Sequence, residues 1–161
     1  PVAKVYNANG FICSLEVSGQ EVLIPDRDEK KAVSISLFDN SGGLLPEQNR
    51  TEMIYKCGMT TWQAARAGPF ILVLCTDFTV KKFSAKSRQL LTSITVLPLQ
   101  EPDKVKNPYA LKICGDRCYV SYINHHEICA FSVNDGKRQA EDGFVGHRGT
   151  VNAFCLGSTG A

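Results

Sequence analysis

Residues 70–94, FILVLCTDFTVKKFSAKSRQLLTSI, decide how the rest of the chain is read. The segment opens on an apolar, β-prone run, passes through Thr76, Asp77 and Phe78, and continues through Thr79, Val80, Lys81, Lys82 and Phe83 in alternating character. Behind Lys86, Ser87 and Arg88 a third extended piece follows. Successive side chains of a strand point to opposite faces, and short apolar or alternating runs parted by turn formers build antiparallel strands. Residues 70–94 are therefore predicted to form three short strands. Asp77 turns the chain between the first two, and Phe83 stands at the inner end of the second.

The same unit recurs on either side. Residues 32–39, AVSISLFD, alternate small or polar with apolar residues and end in Phe38 and Asp39, with a Gly-containing turn behind them. Residues 127–132, EICAFS, repeat the arrangement ahead of Asn134, Asp135, Gly136 and Lys137. Phe38, Phe83 and Phe131 lie 45 and then 48 residues apart, and Ile35, Val80 and Ile128 each stand three positions before them. A period of about 40–50 residues with several short strands per unit is the mark of propeller blades.

The fold predicted is all-β: a β-propeller segment of about three four-stranded antiparallel blades plus the first strand of a fourth. The blades are placed at 2–57, 60–95 and 109–145, with the next beginning at 150–161. Inner strands are expected at 60–66, 109–114 and 150–156, second strands at 11–17, 70–76 and 118–123, and outer strands at 52–57, 89–95 and 143–145. The charged stretch 25–31 and the segment 98–108, PLQEPDKVKNP, read as solvated loops, where binding residues concentrate on a rigid scaffold.

Asp77, Thr79, Val80 and Phe83, at the spacing Asp-x-Thr-Val-x-x-aromatic, resemble the second half of a WD repeat, with Phe83 and Ser84 where that family has Trp and Asp. Phe38-Asp39 is the nearest match to that Trp-Asp pair, and Gly146-His147 followed by residues 148–154 resembles the opening of such a repeat and its innermost strand. The resemblance implies that His147 and Asp77 belong to a buried polar network pinning strands together. It is incomplete, since Asn124 and His125 occupy the third blade's turn and only one Gly-His is present. Asn124-His125 followed by Ile128, Phe131, Ser132 and Gly136 also resembles an NHL repeat, the second choice. Closed propellers have about four to eight blades, so three require either the remaining blades of a longer chain or other copies of this one. If the chain stands alone, its two end faces would expose apolar surface.

Composition narrows the partners. Eighteen basic and 16 acidic residues give a net charge of +2, too little to point to nucleic acid. No apolar run is long enough to cross a bilayer. Seven cysteines, an odd number mostly inside apolar runs, read as buried free thiols of a reducing compartment, which places the protein in the cytoplasm or nucleus.

Cys114, Cys118, His125, His126 and Cys129 gather five potential ligands within 16 residues, but the strand reading makes the cysteines core thiols and the histidines surface groups. No metal or cofactor is expected. The chain has no phosphate-binding Gly-rich loop, no His-Glu-x-x-His and no Gly-x-Ser-x-Gly, and is not expected to be an enzyme. Lys81, Lys82, Lys86 and Arg88 form a basic cluster read as a solvated rim, and the single Trp62 as blade packing.

The WD resemblance implies a non-catalytic scaffold that binds a protein or peptide through its loops. The expected contact residues are Phe78, Asn124, His125, His126 and Arg148, with Asp77 and His147 structural. The alternatives are a ligand-binding or catalytic pocket at the channel mouth, or an RNA-binding propeller using the Lys-rich rim. The latter would show steeply salt-dependent binding.

Overall fold

The hairpin of β6 (Phe70–Cys75) and β7 (Thr79–Ser84) is the centre of the molecule in the computed structural model, which describes residues 15–139 and 151. It is flanked by β5 (Thr61–Ala67) and β8 (Leu90–Thr95) in one antiparallel sheet ordered β5-β6-β7-β8. Ile71 and Val73 of β6 pack toward the preceding sheet, and Leu72 and Leu74 toward the following one, all four fully buried. A strand covered on both faces gains from apolar side chains at every position, which is why this run is continuous rather than alternating. Each such side chain contributes roughly 1.5–3 kcal/mol by burial.

The sheet before it contains β1 (Glu16–Ser18), β2 (Glu21–Asp26), β3 (Lys31–Ser36) and β4 (Glu52–Lys56), in that order. The sheet after it contains β9 (Pro108–Cys114), β10 (Arg117–Tyr122) and β11 (Ile128–Ser132), and the bridge from Phe131 to Arg138 begins a further pairing on the β11 side. Single 3-10 turns lie at Glu47–Asn49 and Pro102–Lys104. The three sheets stack in chain order: β1 and β2 lie against β5, and β5 against β9. The architecture is all-β, three successive propeller blades.

Adjacent blades are tied by matching bonds. The Tyr55 hydroxyl of the first donates to the Ala85 carbonyl of the second at 3.3 Å, and Lys82 Nζ of the second donates to the Val133 carbonyl of the third at 2.8 Å. Ala85 and Val133 each follow the serine that ends a third strand, so the same carbonyl is captured twice. Arg66 Nη1 meets Glu21 Oε2 at 2.5 Å, and the Leu111 amide donates to Gln63 Oε1 at 2.5 Å.

Several sequence expectations are corrected. The first blade's second strand is β2, not 11–17, of which 11–14 lie outside the described residues; Ser18 pairs with Glu21 across a two-residue turn in which Gly19 takes a φ of +59°. Only 27–30 of the charged stretch 25–31 lie between β2 and β3, because Pro25 and Asp26 finish β2 and Lys31 starts β3.

Phe38 is not equivalent to the other two phenylalanines. Phe83 and Phe131 sit opposite Ile71 and Cys118, each the second residue of its strand, and the residue opposite the corresponding Val22 is Ile35. Phe38 lies three residues later, outside β3, in a single bridge to Leu44. The expected outer strand 143–145 lies outside the described residues; among the described ones Arg138 makes a single bridge to Phe131.

The outward apolar faces are also covered. Val22, Ile24, Val33, Ile35 and Leu37 of the first blade are buried, and Tyr119, Ile128 and Ala130 of the third are buried in a cluster with Val151. Lys82, expected on a solvated rim, is 6% exposed. Its ammonium stands 4.0 Å from the centre of the Phe70 ring while it bonds the Val133 and Asn134 carbonyls. Trp62 is the bulged residue of β5, half-buried between Arg27 and the Tyr109 ring.

Candidate functional site

Antiparallel pairing brings three connections to one end of the second and third blades: the β6–β7 turn, the β10–β11 turn and the β8–β9 link. Asp77 makes the first turn by accepting the Thr79 hydroxyl at 2.6 Å and the Thr79 amide at 3.3 Å on Oδ1, the self-bonding that suits Asp to turns. Phe78 then adopts a φ of +60°, and its carbonyl receives the Val96 amide at 2.8 Å, joining the first turn to the link. Asn124 occupies the same left-handed region, at +57°, in the second turn.

From Phe78 a row of rings crosses to the third blade. Phe78 stacks on Tyr122 at 6.4 Å, Tyr122 meets His125 edge-on at 6.0 Å, and His125 stacks on His126 at 4.8 Å. The Tyr122 hydroxyl donates to the Val96 carbonyl at 2.6 Å, and burial pushes its ionisation well above the usual phenol range.

His125 is 4% exposed. Its Nδ1 accepts the Glu127 amide at 3.2 Å, which leaves Nε2 protonated and donating to the Gln100 carbonyl at 2.9 Å. His126, half-buried, donates through Nε2 to Gln100 Oε1 at 3.2 Å.

Glu127 anchors the link. Its carboxylate, 4% exposed, accepts the Leu99 and Gln100 amides on Oε2 at 2.9 and 3.1 Å. Arg138 Nη1 stands 3.7 Å from its Oε1 and bonds Cys129 Sγ at 3.1 Å, while Nη2 reaches the Leu97 carbonyl. The Arg138 guanidinium also lies 5.1 Å from the centre of the Phe131 ring. Burial raises the Cys129 thiol pKa. The link is thus held through backbone groups of Val96, Leu97, Leu99 and Gln100, yet the Leu97 and Leu99 side chains are exposed, Leu99 at 67%.

Of the residues expected from sequence, the structure brings Phe78, Asn124, His125 and His126 to this one end. Asp77 and Asn124 are exposed, Phe78 and His126 half-buried, and the His125 ring is enclosed rather than on the surface. His147 and Arg148 lie outside the described residues. Sequence reasoning missed Glu127 and Arg138, and marked Leu99 and Gln100 only as part of the loop 98–108, without naming either as a contact. The available signals were faint: a carboxylate directly before the apolar run ICAF, and two isolated leucines in a proline-bounded link. Cys114 is exposed at the end of β9, whereas Cys118 is buried in the interior, where desolvation lifts its pKa to about 12. Among the described residues no three His, Cys, Asp or Glu side chains gather to hold a metal ion.

These blades and their turn end define the class: a β-propeller. The WD40 β-propeller domain of Doa1 superposes with a TM-score of 0.62 at 15% identity, over 88% of this chain and 42% of that one. The computationally designed Ika4 protein gives 0.63 at 16% identity, over 93% of this chain and 84% of that one. Apo AztD from Citrobacter koseri gives 0.61 at 10%, over 88% of this chain and 36% of that one. The chain therefore spans less than half the length of Doa1's propeller domain and of AztD. No family model matches the chain, and no curated protein matches it in sequence.

Proposed function

We propose that the chain is a propeller portion serving as a non-catalytic scaffold, and that it binds a protein or peptide at the turn end of the second and third blades. The observation that carries this reading is Leu99: a large apolar side chain, 67% exposed, on backbone fixed by buried Glu127 and flanked by Gln100 and His126. Apolar groups held rigidly in water, with polar groups beside them, are what protein interfaces use as anchors, because little ordering entropy remains to be lost on binding. The remaining blades come from a longer chain or from further copies, a reading supported by the partial coverage of Doa1's propeller domain. Residence in the cytoplasm or nucleus is supported by the five free thiols among the described residues. An RNA-binding edge is less well supported, since buried Lys82 breaks the basic cluster.

The test is selection of peptides from a random display library against the immobilised chain, followed by titration with Leu99→Asp and His126→Ala. Leu44→Asp, at an exposed site in the first blade, is the control. Affinity for the selected peptides is expected to fall at least tenfold with Leu99→Asp and to be unchanged with the control. Peptides that bind all variants equally would refute the assignment, as would a selection that enriches none.

A further inference from the structure

The inner strands of the second and third blades begin with the same irregularity. Thr61 pairs with Cys75 and Gln63 with Leu74, which leaves Trp62 as an extra residue in β5; Pro108 pairs with Tyr122 and Ala110 with Ser121, which leaves Tyr109 as an extra residue in β9. Cys75 and Tyr122 are the last residues of β6 and β10, so the two bulges are equivalent. A bulge takes one residue out of the ladder and re-aims its side chain. Here both re-aimed residues are aromatic and half-buried, and their rings meet at 6.4 Å with 52° between their planes. Arg27, in the β2–β3 turn of the first blade, sets its guanidinium 5.4 Å from the centre of the Trp62 ring. The residues on either side of Trp62 are fixed to the neighbouring blades: the Thr61 hydroxyl donates to the Lys31 carbonyl at 3.3 Å, and Gln63 Oε1 accepts the Leu111 amide at 2.5 Å. Three blades thus hold one aromatic surface in place, with part of it left in water.

The surroundings select the ligand. A guanidinium already faces Trp62, so a second cation is repelled there. The turn that carries Arg27 reads Arg-Asp-Glu-Lys over 27–30 and has no net charge, so it does not draw in a nucleic-acid backbone. What remains is a pair of tilted aromatic rings beside two hydrogen-bond donors, the Arg27 guanidinium and the Tyr109 hydroxyl. A polyproline II segment complements both: its rings are apolar, its carbonyls have no partner within the helix, and proline brings no N–H to be left unsatisfied. Aromatic-lined surfaces take such segments at low entropic cost, because the ligand is already extended before it binds. We propose that Trp62, Tyr109 and Arg27 form a docking site for a proline-rich peptide. This rests on the reading of the chain as a peptide-binding scaffold but not on Leu99, and it adds a contact on the inner strands.

Trp62 is the only tryptophan, so its emission reports on the site directly. The experiment titrates the folded chain with deca-proline and, in parallel, with a Gly-Ser decapeptide and a decathymidylate strand. The expected result is a saturable change in emission with deca-proline and none with the other two. Tyr109→Ala is expected to weaken binding about tenfold or more, and Arg27→Gln about threefold or more. Arg27 lies in a turn, so Arg27→Gln keeps the test decisive if Tyr109→Ala does not fold. Leu99→Asp is expected to bind deca-proline as the unaltered chain does, which separates a failure of this site from a failure of the contact at Leu99. The proposal is overturned by the lack of a saturable change with deca-proline, by an equal response to the Gly-Ser peptide, by a response to decathymidylate instead, or by unchanged affinity in Arg27→Gln. A loss of affinity confined to Leu99→Asp would overturn it as well.

Discussion

Removing the Glu127 carboxylate should release the β8–β9 link from the third blade. In the folded chain this group accepts two backbone amides, from Leu99 and Gln100, and faces Arg138 at 3.7 Å. Hydrogen bonds to a charged acceptor are worth about 1.5–3 kcal/mol each, so the two amides set a ceiling near 6 kcal/mol. Leu99 lies at the surface, and water can re-solvate part of what is lost; Arg138 is 27% exposed at its side chain, so its contact adds under about 1 kcal/mol. Glu127→Ala is therefore expected to cost about 3–4 kcal/mol, and Glu127→Gln, which keeps an acceptor oxygen but not its charge, about 1–2 kcal/mol. Urea unfolding followed by fluorescence of the single Trp62 gives the free energies, provided the dependence on urea is unchanged. Amide hydrogen exchange gives the location, with Leu99 and Gln100 expected to lose at least tenfold protection in Glu127→Ala. A cost below about 0.5 kcal/mol, or unchanged exchange at both amides, would refute the anchoring role.

Phe83→Ala should cost about 3–5 kcal/mol, since the ring is 1% exposed and edge-on to Tyr55 at 5.6 Å; half-buried Phe38→Ala should cost far less, and equal losses by urea unfolding would contradict their inequivalence. Arg88 and Gly136 occupy the same left-handed turn position at φ of +64° and +72°, so Arg88→Gly should gain up to about 1 kcal/mol. Gly136→Ala should lose about 1–2 kcal/mol, because a Cβ there lies 3.0 Å from Ile94 Cγ1, and thermal melts of the two variants should shift in opposite directions. The raised Cys118 pKa, about 12, means that this group's contribution to stability is complete below the unfolded thiol's pKa of 9 and is lost between 9 and 12, so unfolding free energy measured across that window should fall. At pH 8 a thiol reagent should label Cys114 in the folded chain and reach Cys118 only on unfolding.

The sheets were legible because their physics is local. A strand buried on both faces must be apolar throughout, and residues 70–75 show it; a turn that bends through Asp77 and a left-handed residue leaves its trace in composition. The first blade was less legible because Leu37 and Phe38 extend its apolar pattern beyond the point where β3 ends, which shifts the apparent landmark by three residues from Ile35. The site was half legible. Turn residues 77–78 and 124–126 announce themselves, but Glu127 and Arg138 bind backbone groups of 97–100, and a carbonyl or amide has no signature in sequence. Lys82 misled for a related reason. Its charge reads as solvent-facing, whereas its long stem carries the ammonium to two carbonyls of the next blade.

The arrangement of strands sets where the molecule is weakest. β5 adheres to both neighbouring blades, while β8 packs on β7 and leaves Leu90 and Leu91 uncovered. Thermal fraying will therefore start at the periphery and travel inward, one strand at a time. The cohesive spine of inner strands is left for last.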